Sequence, residues 1–246
     1  MQALKFTLSG DFAHFKISSL NKVCDFTYQQ LSPVALKGIL GAILGLKGYG
    51  NDRTSDYPEW YEKLKDCQIS IVPLNEKGHI PTCKISYNNT TGICKYSNFL
   101  GHMQLLVNPK WDIYIHLDSL LPEIKDKLVY YILHKKTVYV PYLGCSEFLA
   151  HIQNGQLVTL DEVSLSDVST LSCLFKKEQA DCQPLPEMDY SCYKFESELP
   201  CAMDAKWNQH ICERYVYTNY PVSVSTGHVY LEHGQTETTD RYLLFS

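Results

Sequence analysis

Between Gly10 and Gly48 the chain is committed to one kind of packing. From Val34 to Leu46 nearly every residue that is not glycine is apolar. A helix here is therefore buried on most sides rather than along one stripe. Ser32 is a favoured N-cap, and Pro33 in the first turn lacks only an N–H that would go unpaired anyway. Gly38, Gly41 and Gly45 fall three and four apart and so share one helical face. Each costs the helix about 1 kcal/mol relative to alanine, and something must offset that. One reading is close approach of another backbone within the same domain. The other adds that the capped N-terminus, with bare N–H groups and a positive dipole end, faces an anion such as an RNA phosphate.

The chain has 246 residues, 45% hydrophobic and 20% charged, which suits one large or two small globular domains. Val34–Leu46 is too short for a membrane span and contains Lys37. Met1–Lys5 carries no hydrophobic signal region, so a cytoplasmic protein is expected and the sequon at Asn89 has no expected use. The ten cysteines include no C-x-x-C pair, so reduced, partly buried thiols are expected, with no metal and no cofactor. The net charge of −5 is unevenly spread. Residues 1–140 hold 16 lysines and arginines against 12 carboxylates, and residues 141–246 hold 6 against 15. Fields decay over about 8 Å at physiological salt. A mildly basic first half can thus meet a polyanion while the acidic second half meets water or a basic protein.

Leu4–Leu8 reads as a first strand, continued by Ala13–Phe15. A short helix is expected over 58–65 and a strand over 67–74, with a turn at Asn75–Gly78. Residues 79–103 read as a protruding hairpin: a turn cluster at Asn88–Gly92, with Lys84, Tyr87, Lys95, Tyr96, Phe99 and His102 around it. Such a surface suits base stacking and phosphate neutralisation; the bland alternative is aromatics packed on the hairpin's own base. Trp111, Ile113, Ile115 and Leu117 alternate with polar residues, predicting a strand with one buried face. A helix capped by Asp118 or Ser119 should run to about Leu133, with Leu121, Ile124, Leu128 and Tyr131/Ile132 as its apolar stripe. A further strand is expected over Thr137–Val140. The fold class is α+β: a ferredoxin-like, RRM-type βαββαβ domain over 1–150 with two helices on one sheet face. A β-rich region over 151–246 packs on it.

Gly10-Asp11-Phe12-Ala13-His14-Phe15-Lys16, the run from Ser32 through Leu46, Asn108–Tyr114 and Tyr142-Leu143-Gly144-Cys145-Ser146-Glu147-Phe148 together resemble the CRISPR-associated Cas-five family of the RAMP superfamily. The likeness covers residues 1–150 in order and spacing and is greatest for the type I-B branch. It implies a non-enzymatic subunit of Cascade, the type I surveillance complex of antiviral defence. Such a subunit holds the five-prime handle of the guide crRNA and caps the backbone filament. The implied partners are the guide, a Cas-seven backbone subunit and a large Cas-eight-type subunit, with a Cas-six nuclease and target DNA beyond them. The hairpin at 79–103 would be the family's thumb. Only Arg53, Arg214 and Arg241 are arginine, which favours backbone N–H groups, lysine and stacking over bidentate phosphate gripping.

The candidate RNA-binding residues are His14, Phe15 and Lys16 after the first strand, Tyr28 and Gln29 before the helix, and Lys37 projecting from its first turn. Lys84, Lys95, Tyr96 and His102 follow on the hairpin. Tyr142, Gly144, Cys145, Ser146 and Glu147 complete the set, the glycine permitting close backbone approach. Two other functions stay open: a metal-independent endoribonuclease using His14, Lys16 and a tyrosine, and an RRM-like protein-interaction module.

Overall fold

The computed structural model describes residues 1–20, 24–49, 56–89, 99–183, 191–234 and 239–246. The first half runs β1 (Gln2–Ser9), β2 (Phe12–Ala13), β3 (Cys24–Asp25), α1 (Pro33–Leu44), α2 (Glu59–Leu64), β4 (Ile69–Pro73), β5 (Thr82–Asn89), β6 (Phe99–Val107), β7 (Lys110–His116), α3 (Pro122–Leu133) and β8 (His151–Thr159). The central sheet has the order β4-β7-β1-β8, with antiparallel neighbours throughout. Phe6 lies opposite Ile113, and Ile71 lies on the other side of Ile113. These residues make one core with Leu36, Leu40 and Ile43 of α1 and Ile124, Leu128 and Ile132 of α3.

The helix starts are determined locally in one case and not in the other. Ser32 Oγ accepts from the Ala35 N–H at 3.2 Å, and Gly45 closes α1 in the left-handed conformation at φ 76°. The cap expected at Asp118 or Ser119 is not made. Leu117–Ser119 is a 3₁₀ turn, Leu121 is the N-cap of α3, and no side chain caps it. Ser119 Oγ instead donates to the His116 carbonyl. Leu121 is exposed rather than part of the apolar stripe.

Two strand expectations are corrected. Residues 137–140 form no strand; the Val138 and Tyr139 N–H groups donate to the Ile43 and Ala42 carbonyls at the end of α1. The sheet's fourth strand is β8, so the Tyr142–Phe148 segment precedes it and the sheet extends beyond residue 150. β7 is buried on both faces rather than one. Its second face, through Tyr114, joins a separate core with Phe175, Val216, Val229 and Leu243 of the second half.

That half contains β9 (Asp161–Val163), β10 (Phe175–Lys176), β11 (Ala180–Cys182), β12 (Lys194–Met203), β13 (His210–Thr218), β14 (Val222–Val224), β15 (Val229–Glu232) and β16 (Arg241–Leu244). They form the small antiparallel sheets β10-β13-β12, β11-β14 and β16-β15-β9. Among the described residues no helix is long and apolar enough to cross a membrane. No cluster of His, Cys, Asp or Glu is arranged to hold a metal ion there.

Candidate nucleic-acid interface

Strands β5 and β6 form the two arms of a hairpin. β5 pairs antiparallel with β6 from Thr82 opposite Leu106 to Asn89 opposite Phe99. The base of β6 is anchored by β2 and, in parallel, by β3. Lys84, Ile85, Ser86, Tyr87 and Asn88 are all exposed, so the strand does not fold into the core. Lys84 stands opposite Gln104 and Ser86 opposite His102 on one hairpin face. Ser86 Oγ and His102 Nδ1 are 2.8 Å apart. On the other face the Tyr87 ring lies across Gly101, where a Cβ would come within 2.4 Å of it. Lys95 and Tyr96 lie outside the described residues, as does Arg53.

At the foot of the hairpin the two segments singled out by sequence meet through backbone. The His14 N–H donates to the Leu143 carbonyl at 3.0 Å. A Cβ on Gly144, whose φ is 88°, would fall 1.8 Å from the His14 carbonyl oxygen. A Cβ on Gly10 would fall 2.6 Å from Leu143 Cδ1 and 2.9 Å from the Leu149 carbonyl oxygen. Both glycines are therefore required for contact between these two loops. The tight turn is closed by the Phe148 N–H to Cys145 at 3.0 Å and the Leu143 N–H to Phe148 at 2.7 Å. Burial, with lesser help from Glu147, raises the Cys145 thiol above its ordinary value. Ser146 and Glu147 are exposed and hydrogen-bonded to each other.

Several sequence candidates occupy other roles. His14 is 2% exposed, with Nδ1 2.8 Å from the Gln104 carbonyl, so its ring fastens the hairpin base and does not reach a solvent-borne ligand. Lys37 does not project. It is 5% exposed, and its ammonium donates to the Lys65 carbonyl at 2.6 Å, satisfying the end of α2. Burial holds its pKa below the ordinary lysine value. Phe15 is buried against Trp111. Tyr28 is buried with its hydroxyl 3.7 Å from Cys212 Sγ, and burial raises its pKa. Lys16 is exposed but paired with Asp25 at 2.8 Å. Gln29 is half-buried.

The concave surface lies on the glycine face of α1. A groove of about 660 Å³ has Phe15, Gly38 and Gly41 among the residues of its floor and walls, with Trp60, Tyr139 and Tyr142 at its sides. A neighbouring depression of about 240 Å³ shares Phe15, Gly38 and Trp60 and extends it to Lys16, Tyr28 and His210. Burial lowers the His210 pKa, favouring its neutral form. Tyr139, Val140 and Tyr142 are 53%, 68% and 46% exposed along the rim. Sequence reading singled out Phe15, Tyr28, Tyr142 and Gly144 but missed Lys47, Tyr49, Trp60 and Tyr139. The Lys47-Gly48-Tyr49 run directly after the helix was their available signal.

No family model and no curated protein matches the chain. Solved structures do. The crystal structure of a CRISPR protein from Archaeoglobus fulgidus aligns over 99% of this chain and 98% of its own, with TM-score 0.52 and 10% identity. The chain shares the fold of CRISPR-associated proteins. A chain of a CRISPR RNA-guided surveillance complex aligns over 91% of both, with TM-score 0.52 and 12% identity. The CRISPR-associated fold thus spans both halves, including the β-rich region where the sequence motifs fade.

Proposed function

We propose that this chain is a non-catalytic, guide-RNA-binding subunit of a type I CRISPR surveillance complex, related to Cas-five of the I-B branch. In this reading it holds the five-prime handle of the crRNA and caps the backbone filament in the cytoplasm. The observation that carries it is the exposed β5–β6 hairpin, with Lys84 and His102 outside the core. The strand order β4-β7-β1-β8, with α1 and α2 between β1 and β4 and α3 between β7 and β8, supports a ferredoxin-type βαββαβ unit beneath it. The motif resemblance in residues 1–150 supports the same assignment.

The contact chemistry follows from what is committed elsewhere. Arg241 is held by Asp112 at 2.7 Å, and Arg214 lies 3.6 Å from Glu196. With Arg241 locked in that network and arginine scarce, lysine, backbone N–H groups and aromatic faces are the contacts proposed for RNA, with the exposed Arg214 beside them. The partners proposed are the guide crRNA, a Cas-seven backbone subunit and a large Cas-eight-type subunit, with a Cas-six nuclease and target DNA nearby.

Tagged chain, expressed with its neighbouring genes, should bring down companion subunits and RNA with one repeat-derived five-prime end. Recovery of the chain with neither would overturn the reading. Repeat hairpin RNA incubated with the protein in chelator should stay intact. A single-site cut lost in His14→Ala would overturn the non-catalytic part.

A further inference from the structure

Gly38 carries a helix penalty that nothing among the described residues requires. The three glycines of α1 differ in what a Cβ would meet. At Gly41 it would lie 2.5 Å from Trp60 Cβ, so that glycine admits α2. At Gly45 the left-handed cap and Val138 account for the residue. At Gly38 nothing among the described residues stands within 4 Å, and the space opens into the groove. The intramolecular explanation that serves its two neighbours does not apply to Gly38.

The charge around this space is one-sided. On a chain with five more carboxylates than lysines and arginines, the groove and its extension count Lys47 and Lys16 among their lining residues and, among the described residues, no acidic side chain. A third depression of about 330 Å³, behind the 137–141 segment, adds Lys135, Lys136 and His151, again with no acid. Two carboxylates bond to lining residues from outside: Asp25 pairs with Lys16, and Glu59 accepts from the Lys47 backbone N–H at 2.9 Å. A neutral peptide would explain the apolar floor but not the cations, and an acidic peptide would explain the cations but give the aromatic rings no planar partner. Single-stranded nucleic acid explains both, because bases stack on aromatic rings while phosphates meet lysine.

We propose that the glycine face of α1 is a second nucleic-acid subsite, separate from the hairpin, in which unstacked bases of a single strand enter beside Trp60, Tyr139 and Tyr142. The backbone passes Gly38, and Lys47 meets a phosphate. The groove's volume falls within the roughly 300–1,000 Å³ typical of small-ligand sites. The proposal rests on the RNA-binding reading above and adds where bases are seated.

The test uses the full-length chain and a fluorescent single-stranded RNA oligonucleotide, with anisotropy read at several salt concentrations. Gly38→Phe fills the groove from a position where the backbone is helical and a Cβ has room. It should fold, and should weaken binding about tenfold or more. Gly38→Ala adds only a methyl where the strand passes and should weaken binding less than Gly38→Phe, by about two-fold. Tyr142→Ala should weaken binding about five-fold or more. Lys47→Ala should flatten the slope of log K against log salt by about 0.7. Cross-linking through 5-iodouridine should label peptides carrying Trp60, Tyr139 or Tyr142. If Gly38→Phe fails to fold, Tyr142→Ala and Lys47→Ala decide, since both residues are exposed. Unchanged binding in the groove variants, with loss in Lys84→Ala, would overturn this subsite and leave the hairpin reading standing. Cross-links confined to the hairpin, or a partner peptide cross-linked in the groove, would also overturn it. Native protein that neither binds the oligonucleotide nor co-purifies with RNA would remove the functional reading itself, and the subsite with it.

Discussion

Arg241 donates through Nη1 to Oδ2 of Asp112 at 2.7 Å, tying the last strand to the middle of the central sheet across 129 residues of chain. The same nitrogen donates to the Tyr114 hydroxyl at 2.7 Å, and Tyr114 donates to Glu232 at 2.5 Å. Glu232 also receives Lys5 at 2.6 Å, and Thr7 donates to the other oxygen of Asp112 at 2.7 Å. A charged carboxylate therefore sits on a covered sheet face only because each of its oxygens is hydrogen-bonded.

Arg241→Met should leave Asp112 buried and short of its counter-charge. We expect a loss of about 3 kcal/mol, measured by urea unfolding. Amide exchange should quicken first in β15 and β16. An unfolding midpoint equal to the native one would show that the network adds nothing.

Alanine scanning of the glycines should give opposite signs. Gly38→Ala should stabilise by about 1 kcal/mol, because the helix gains propensity and no atom is displaced. Gly41→Ala should destabilise, since its methyl meets Trp60 at 2.5 Å. Gly144→Ala should be the worst of the three, combining a φ of 88° with a collision at the His14 carbonyl. Thermal melts of the three proteins side by side rank them.

Lys37 should make stability depend on pH in the alkaline range. Burial depresses its folded pKa below 10.5, with Cys67 and Asp66 opposing the shift. In the interval beneath 10.5 the unfolded chain therefore holds a proton more readily than the folded one. Stability accordingly rises with pH through that interval and levels off above it. The difference in unfolding free energy between native protein and Lys37→Met should grow as pH is raised from neutrality toward 10.5. A difference that shrank with pH would contradict the burial of the amine.

Thiol reactivity should follow burial. The Cys67 thiol is pushed up to about 12 by burial, and Cys173 is likewise raised and fully enclosed. Cys212 is exposed. Alkylation of native protein at pH 8 should modify Cys212 early, and should modify Cys67 and Cys173 only on unfolding. Early labelling of Cys67 by mass spectrometry would place it nearer the surface than described.

What was legible in the chain was mostly local. Ser32, Pro33 and Gly45 bound α1 through interactions only a few residues long, and they behave as their residue types dictate. The paired strands within 79–103 were readable because they are close in sequence; residues 90–98, with most of the expected turn cluster, lie outside the described residues. Thr137–Val140 misled because a β-branched, aromatic run suits either a strand or an extended segment. Its N–H groups were taken by the end of α1, a partner that no propensity reveals. His14 and Lys37 misled for a related reason. A polar side chain reads as exposed until a distant carbonyl, here Gln104 or Lys65, satisfies it.

The sequence by itself determined where the helices lie and how α1 is capped, most strands of the first half and the two glycine-bearing loops, because period and turn chemistry act over short spans. Only the tertiary structure decided which faces are covered and what the glycines serve. β7 is buried twice because chain from beyond residue 160 returns to its second face. Gly144 answers to His14 and Gly41 to Trp60, whereas Gly38 answers to no atom among the described residues. Those outcomes depend on contacts between residues far apart in sequence, and such contacts exist only once the chain has closed on itself.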